Sequence, residues 1–166
     1  MGGEGGELKK TMIVDLGKCT GCEMCMDICS SEQGKSYSDQ TSKIQIHKDE
    51  AQATFIPLVC EQCREHPCVD ACPVNALQYD DPLSIFTVDR EACTGCGACV
   101  DACPYDGIFL SGKVAVKCDL CGGRVPCVGV CYPQALRYAE VSSSTALQDL
   151  ECKAAKLKKL GEGSHE

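Results

Sequence analysis

The stretch Cys93-Thr94-Gly95-Cys96-Gly97-Ala98-Cys99-Val100-Asp101-Ala102-Cys103-Pro104 decides how this chain reads. Three cysteines recur at every third position, and a fourth follows just before a proline. Counting blocks from the N-terminus, this is block three. Block one is Cys19, Cys22, Cys25 and Cys29; block two is Cys60, Cys63, Cys68 and Cys72; block four is Cys118, Cys121, Cys127 and Cys131. The four blocks take all but one of the 17 cysteines in the 166 residues.

The spacing is that of iron–sulfur ligation. Cysteines at intervals of three let their thiolates converge on one corner of a cubane, with the intervening backbone N–H groups aimed at its sulfides. The fourth cysteine begins a helical turn and points away, so in two-cluster ferredoxins it ligates the other cluster. The proline after it ends the turn and has no N–H to place. Gly21, Gly95 and Gly97 let the backbone approach the inorganic core. Sixteen thiolates, four per cubane, make four 4Fe–4S clusters. Zinc is the serious alternative for any Cys-x-x-Cys pair, but structural zinc has no use for a third cysteine at the same interval. Block four, with its longer gap between Cys121 and Cys127, is where a zinc ion fits best.

Composition narrows the classes further. With three Phe, five Tyr and no Trp, an ordinary core is thin at this length, so cluster binding and folding are expected to be coupled. A secreted disulfide scaffold is disfavoured, because no basic-then-apolar export segment opens the sequence. No apolar run nears the roughly 20 residues that span a bilayer, and Gly2 without Ser or Thr at position six fails the myristoylation pattern. The expectation is a soluble, cytoplasmic protein without direct membrane insertion. The formal net charge is −8, and four thiolate-bound cubanes would about double it. That argues against nucleic acid as a partner and for a basic or neutral docking face on a redox protein. No phosphate-cradling loop, nicotinamide fingerprint or nucleophile–base pair stands out, so no catalytic residue is assigned.

Internal repetition organises the chain. Ile13-Val14-Asp15 precedes Cys19-Thr20-Gly21-Cys22 as Thr87-Val88-Asp89 precedes Cys93-Thr94-Gly95-Cys96. Cys68-Val69-Asp70-Ala71-Cys72-Pro73 matches Cys99 to Pro104, and Cys127-Val128-Gly129-Val130-Cys131 is a third copy. Short strands are predicted at Met12–Asp15, Ile44–His47, Thr54–Val59, Ile85–Asp89, Ile108–Leu110 and Val114–Val116. A helical turn and then a strand are predicted after Cys72, Cys103 and Cys131, as at Ala76–Tyr79 and Ala135–Tyr138. Ser30–Thr41 reads as a surface insertion. Ser142–Ser144 can cap a helix from Thr145 to about Leu160, with Leu147, Leu150, Ala154 and Leu157 as its apolar stripe and Lys153, Lys156, Lys158 and Lys159 making its distal half basic. It reads as packed on its own domain with a solvated charged face, or else as a helix that docks a partner subunit.

The pattern resembles the four-cluster ferredoxin subunits of the dimethyl sulfoxide reductase beta-subunit type. The resemblance runs from Met12 to Tyr138, most closely at Cys60-Glu61-Gln62-Cys63, His66-Pro67-Cys68, Cys72-Pro73 and Cys93 to Tyr105. It implies an α+β fold of two pseudo-symmetric bacterial-ferredoxin-like halves, each holding two 4Fe–4S clusters, with a C-terminal helix. Residues 1–11 are then a flexible arm, 12–59 and 113–140 the outer half, 60–112 the inner half and 141–166 the tail. It also implies crossed ligation. One cluster takes Cys60, Cys63, Cys68 and Cys103, and a second takes Cys93, Cys96, Cys99 and Cys72. A third takes Cys19, Cys22, Cys25 and Cys131, and the fourth takes Cys118, Cys121, Cys127 and Cys29. The short block four and the short tail resemble the compact cytoplasmic members. The implied function is a non-catalytic electron-transfer subunit, foremost for a tungsten-dependent aldehyde oxidoreductase. Rivals are carbon monoxide dehydrogenase, hydrogenase or formate dehydrogenase as the enzyme served, and a free-standing polyferredoxin. A catalytic tungsten or molybdenum subunit, a flavin subunit or soluble carrier, and further copies of the chain are the expected partners.

Outside the blocks, Cys152 reads as a free thiol and His66 as a loop-shaping residue. His47 and His165 read as exposed. Tyr79, Tyr105, Tyr132 and Tyr138 are expected to pack against the cubanes. Lys117 and Arg124 read as solvated charges near block four, although a cation there would raise that cluster's potential.

Overall fold

The computed structural model describes residues 9–34 and 41–141 and, in the tail, residues 151, 153–155 and 157–158. Every strand described belongs to a two-stranded antiparallel sheet. β1 (Lys9–Val14) pairs with β8 (Leu136–Val141), with Lys9 opposite Val141 and Val14 opposite Leu136, so the first and last of the described strands close on each other. The other three pairs are hairpins. β2 (Ile44–Asp49) pairs with β3 (Thr54–Val59), β4 (Leu77–Asp80) with β5 (Ile85–Val88), and β6 (Ile108–Ser111) with β7 (Val114–Lys117). The strands lie where β-branched and aromatic runs place them. One boundary differs: the expected N-terminal arm ends inside β1, because Lys10 and Thr11 are already paired with Glu140 and Ala139.

Four short helices alternate with the hairpins: α1 (Met24–Glu32), α2 (Pro67–Asp70), α3 (Ala98–Asp101) and α4 (Pro126–Val130). A residue in the left-handed region opens each one: Glu23 at φ 62°, His66 at φ 46°, Gly97 at φ 85° and Val125 at φ 39°. That reversal sets the third cysteine of each block on the first helical turn, where Cys25, Cys68, Cys99 and Cys127 are buried. The helical turn therefore precedes the fourth cysteine and does not follow it as expected. In block one it runs on through Glu32, so the expected surface insertion begins as helix, and Ser30 is buried with its hydroxyl donating to Asp27 O at 3.0 Å.

Cysteines are themselves core residues here. One apolar cluster gathers Met12, Ile44, Val59 and Leu136 around Cys25, Cys29, Cys118 and Cys127. A second gathers Leu77, Ile108 and Ala115 around Cys68 and Cys99. Both sets of side chains are small or aliphatic, as expected of a chain with few aromatics.

In the tail, Glu151, Lys153–Ala155, Leu157 and Lys158 are helical. Lys153, expected on a solvated face, is 1% exposed, and its ammonium donates to Glu61 Oε1 at 2.9 Å and to Val59 O at 3.2 Å. A buried carboxylate on the block-two loop pulls the lysine inward. The helix's start, Leu147, Leu150, Cys152 and His165 lie outside the described residues.

Candidate functional site

Each block repeats one local geometry. The residue two after the first cysteine is left-handed: Gly21 at φ 69°, Gln62 at φ 55°, Gly95 at φ 68° and Leu120 at φ 56°. This bend turns the loop so that successive thiols face one side. Glycine is needed at two of the four positions for space as well as backbone freedom. A Cβ on Gly21 would lie 2.6 Å from the Phe55 ring, and one on Gly95 would strike the Lys113 carbonyl. After the fourth cysteine the chain bends left-handed again at Asn75, Asp106 and Gln134. Backbone N–H groups then turn back onto the sulfur: Ala76 to Cys72 Sγ at 3.2 Å, Gly107 to Cys103 Sγ at 3.4 Å and Leu136 to Cys131 Sγ at 3.4 Å. Cys29 receives the Lys43 N–H at 3.2 Å.

The chain's folding brings thiols from different blocks together. Cys60, Cys63 and Cys68 line a hollow of about 380 Å³ with Cys103. Cys93, Cys96 and Cys99 line one of about 330 Å³ with Cys72. Cys118, Cys121 and Cys127 line one of about 290 Å³ with Cys29. In the remaining set, the charges of Cys22 and Cys131 act on Cys19, and those of Cys19, Cys22 and Cys131 act on Cys25. None of these sixteen cysteines is in a disulfide. Among the described residues, no three His, Cys, Asp or Glu side chains are grouped to hold a single metal ion; the thiols surround wider spaces.

These surroundings fit an iron–sulfur cubane. The three hollows are alike in volume and ringed by four sulfurs apiece. The block-three hollow is walled mainly by small and aliphatic residues, whereas Gln62 and Lys117 also line that of block two and Lys43 and Asp119 that of block four. Burial, then neighbouring cysteines, pushes the thiol of Cys25 up to about 12 and that of Cys63 up to about 11. Burial pushes Cys127 up to about 12 and Cys118 higher still. Such thiols become ligands only when a metal's charge displaces their protons.

Solvent reaches the thiols unequally. Of the sixteen, Cys22 of block one and Cys96 of block three are exposed. Blocks four and two are joined inside: the Gln62 amide donates to Cys118 O at 2.7 Å, and Cys60 has the largest influence of any cysteine on the Cys118 thiol.

Several residues read differently once placed. Tyr132 is 94% exposed and Tyr79 lies against Phe86, ring centroids 5.2 Å apart, so neither packs on a thiol hollow. Tyr105 does line the block-two hollow, and Tyr138 packs on the larger apolar cluster. His66 shapes its loop as expected, opening α2 with its ring 4.7 Å from that of Phe86. Arg124 pairs with Glu32 at 2.6 Å on the surface. Lys117, read as a solvated charge near block four, is 5% exposed and lines the block-two hollow instead. Neighbours on a strand face opposite ways, so Lys117 turns toward block two as Cys118 turns toward block four. Gln62, Glu61 and Lys153 carry no sequence signal of their roles, because only the fold brings them together.

Residues 50–141 match the 4Fe-4S dicluster domain family, and residues 16–34 match a 4Fe-4S binding domain. The polyferredoxin-like subunit of aliphatic sulfonate oxidoreductase from Pyrococcus furiosus is 38% identical over 73% of this chain and 70% of its own length. A tetrathionate reductase subunit from Archaeoglobus fulgidus is 36% identical over 69% of this chain, which spans 56% of that relative. A chain of the solved BamBC active-site complex of benzoyl coenzyme A reductase aligns over 95% of this chain and 92% of its own, with 21% identity and a TM-score of 0.49. From the dicluster match and the shared sequence over most of its length, this chain belongs to the 4Fe-4S ferredoxin-like family of iron–sulfur subunits.

Proposed function

We propose that this chain is a one-electron relay with four 4Fe–4S clusters, held by the crossed cysteine sets, and that it serves a catalytic oxidoreductase subunit. The observation that carries the reading is the convergence of the first three cysteines of blocks two, three and four with the fourth cysteine of another block. When bound, each cluster supplies a site that takes up and gives back a single electron. The protein's part is to hold the clusters in line and keep the inner ones dry. The sites run block one, block four, block two, block three. Cys25 feels Cys127, Cys118 feels Cys60, and Cys72 of block two joins the block-three thiols. The two outer sites carry the exposed cysteines, so electrons enter and leave there. Exposed Met24 and Tyr132 are the sequence neighbours of Cys25 and Cys131 in the first, and exposed Val74 and Leu110 line the last. In this reading, blocks one and four make one ferredoxin-like half and blocks two and three the other.

The enzyme served is, on the resemblance, a cytoplasmic tungsten-dependent aldehyde oxidoreductase, with a flavin subunit or soluble carrier at the other end of the relay. That the relatives matched in sequence include subunits named for oxidoreductases supports a catalytic partner. Among the described residues no helix is long and apolar enough to cross a membrane.

The test is a metal count on the complex purified without oxygen from its native source. Four clusters require about sixteen iron atoms per copy of this chain beyond those of its partner. Near-stoichiometric tungsten supports the aldehyde oxidoreductase partner. Nickel points to carbon monoxide dehydrogenase or hydrogenase, and iron without a large partner to a free polyferredoxin. Zinc in place of iron sinks the relay. Crossing is tested by Cys131→Ala, which should damage the site built by block one.

A further inference from the structure

Two lysines are buried beside the same loop, and they differ in what neutralises them. Lys153 has the Glu61 carboxylate at 2.9 Å. Lys117, 5% exposed, donates to two neutral oxygens only: Gln62 Oε1 at 2.7 Å and Phe86 O at 2.8 Å. Among the described residues, no carboxylate lies within ion-pair distance of its ammonium. A buried charge without a counter-charge is expensive, and proteins pair such charges or place them by a metal centre.

The hollow that Lys117 lines supplies the missing negative charge. Its wall carries Cys60, Cys63, Cys68 and Cys103. Burial pushes the Cys68 thiol up to about 12, and the Lys117 charge is the next influence, acting in the opposite direction. Gln62 is 4% exposed and fixes the ammonium in place. Its orientation is decided by chemistry, since an ammonium only donates and a carbonyl only accepts. The amide oxygen must therefore face Lys117, and the amide nitrogen must face Cys118 O, 2.7 Å away.

We propose that Lys117 is the built-in counter-charge of the block-two cluster and sets its reduction potential above the value that the same ligands would give without it. This rests on the reading that Cys60, Cys63, Cys68 and Cys103 hold a cluster. Reduction adds one electron and one unit of negative charge at that site, with no bond made or broken. A fixed cation in a dry surrounding favours the reduced form. Gln62 is a positioning residue, holding the ammonium while tying the block-two loop to the block-four cysteine. In the proposed order of sites, block two is an inner one, so Lys117 gives the relay a step in potential at its middle.

The experiment is a potentiometric titration of the full iron-loaded chain with dithionite as reductant, followed by electron paramagnetic resonance, with iron counted in every sample. Lys117→Met, Lys117→Arg and Gln62→Glu are compared with the parent, and Cys63→Ser marks which reduction step belongs to block two. Lys117→Met should lower that step's reduction constant by about tenfold, which for one electron is about 59 mV. The other three steps should hold. Gln62→Glu, which sets a carboxylate against the ammonium, should lower the same step, and Lys117→Arg should keep it near the parent. Should Lys117→Met fail to load iron, Gln62→Glu decides alone. Full iron with every step unmoved, or Lys117→Arg falling as far as Lys117→Met, would overturn the inference and leave the ligation intact. A parent chain holding fewer irons than four clusters require would overturn the ligation reading itself.

Discussion

At Gly95 the backbone sits at φ 68°, and any side chain would meet the Lys113 carbonyl. Gly112 is also left-handed, at φ 62°, but has open space around it. The pair separates backbone strain from collision. Gly112→Ala should cost roughly 1–2 kcal/mol, the strain alone. Gly95→Ala should cost more and should also lower the iron bound by block three, because the loop must move off the β6–β7 turn. Thermal melts with iron counts on both variants check this, and equal losses would show that crowding at Gly95 is relieved without disturbing the thiols. Gly21 and Gly95 are legible from sequence as close-approach glycines. The equivalent bends at Gln62 and Leu120 are not, since neither residue type announces a positive φ. There the left-handed residue is imposed by the loop's other contacts, including the buried amide of Gln62.

At the scale of elements, the described residues of the tail helix are tied to the block-two loop by a buried ion pair, with Lys153 1% and Glu61 5% exposed at their side chains. The Thr11 hydroxyl donates to the Glu61 carbonyl, so β1 braces the same residue from its backbone. Breaking a buried pair from one side leaves an uncompensated charge, which costs about 3–5 kcal/mol. Lys153→Met and Glu61→Gln should each approach that loss, and the double variant should lose less than the sum. Denaturant unfolding of the three chains reads the coupling directly, and strict additivity would mean that the pair is not coupled. Strands and hairpins are mostly legible from β-branched runs between turn residues, to within a few residues of their observed ends. The helical turns, expected after the fourth cysteine, come before it, because no sequence signal marks a left-handed entry at Val125 or His66. Lys153 reads as solvated because its helix is basic, and its carboxylate partner lies 92 positions away in sequence.

For the whole molecule, thiols occupy the places that aliphatic side chains hold in ordinary cores. Removing iron should therefore lower the melting temperature sharply, since binding and folding are linked. An iron-free chain melting within a few degrees of the loaded one would show that the apolar clusters suffice. Acidity adds a signed dependence. Without metal, burial and then Cys60 push the Cys63 thiol from 9.0 to about 11, so the folded chain favours the protonated form. That contribution is fully present below the unfolded value of 9.0 and is lost as pH rises through about 11. The iron-free chain should thus melt earlier with rising pH across that window, while the loaded chain, whose thiols carry no protons, should not follow it. The four cysteine blocks are open to reading because ligation chemistry fixes spacing. The burial of Lys117 and its turn toward block two are not, because they depend on how two hairpins stack.

The pairing of β1 with β8 has a consequence for how the protein is made. A ribosome delivers residues in order, and domains begin folding as they emerge. Everything lining the block-two and block-three hollows lies between Cys60 and Lys117, so that portion can close on itself early. β1 emerges first and finds its partner strand last. Cys19, Cys22 and Cys25 wait alongside it, about a hundred residues of synthesis ahead of Cys131. Under the proposed ligation, the thiols of block one therefore stay an incomplete set until Cys131 emerges, and the site farthest from the block-three end is the last whose four cysteines are all made.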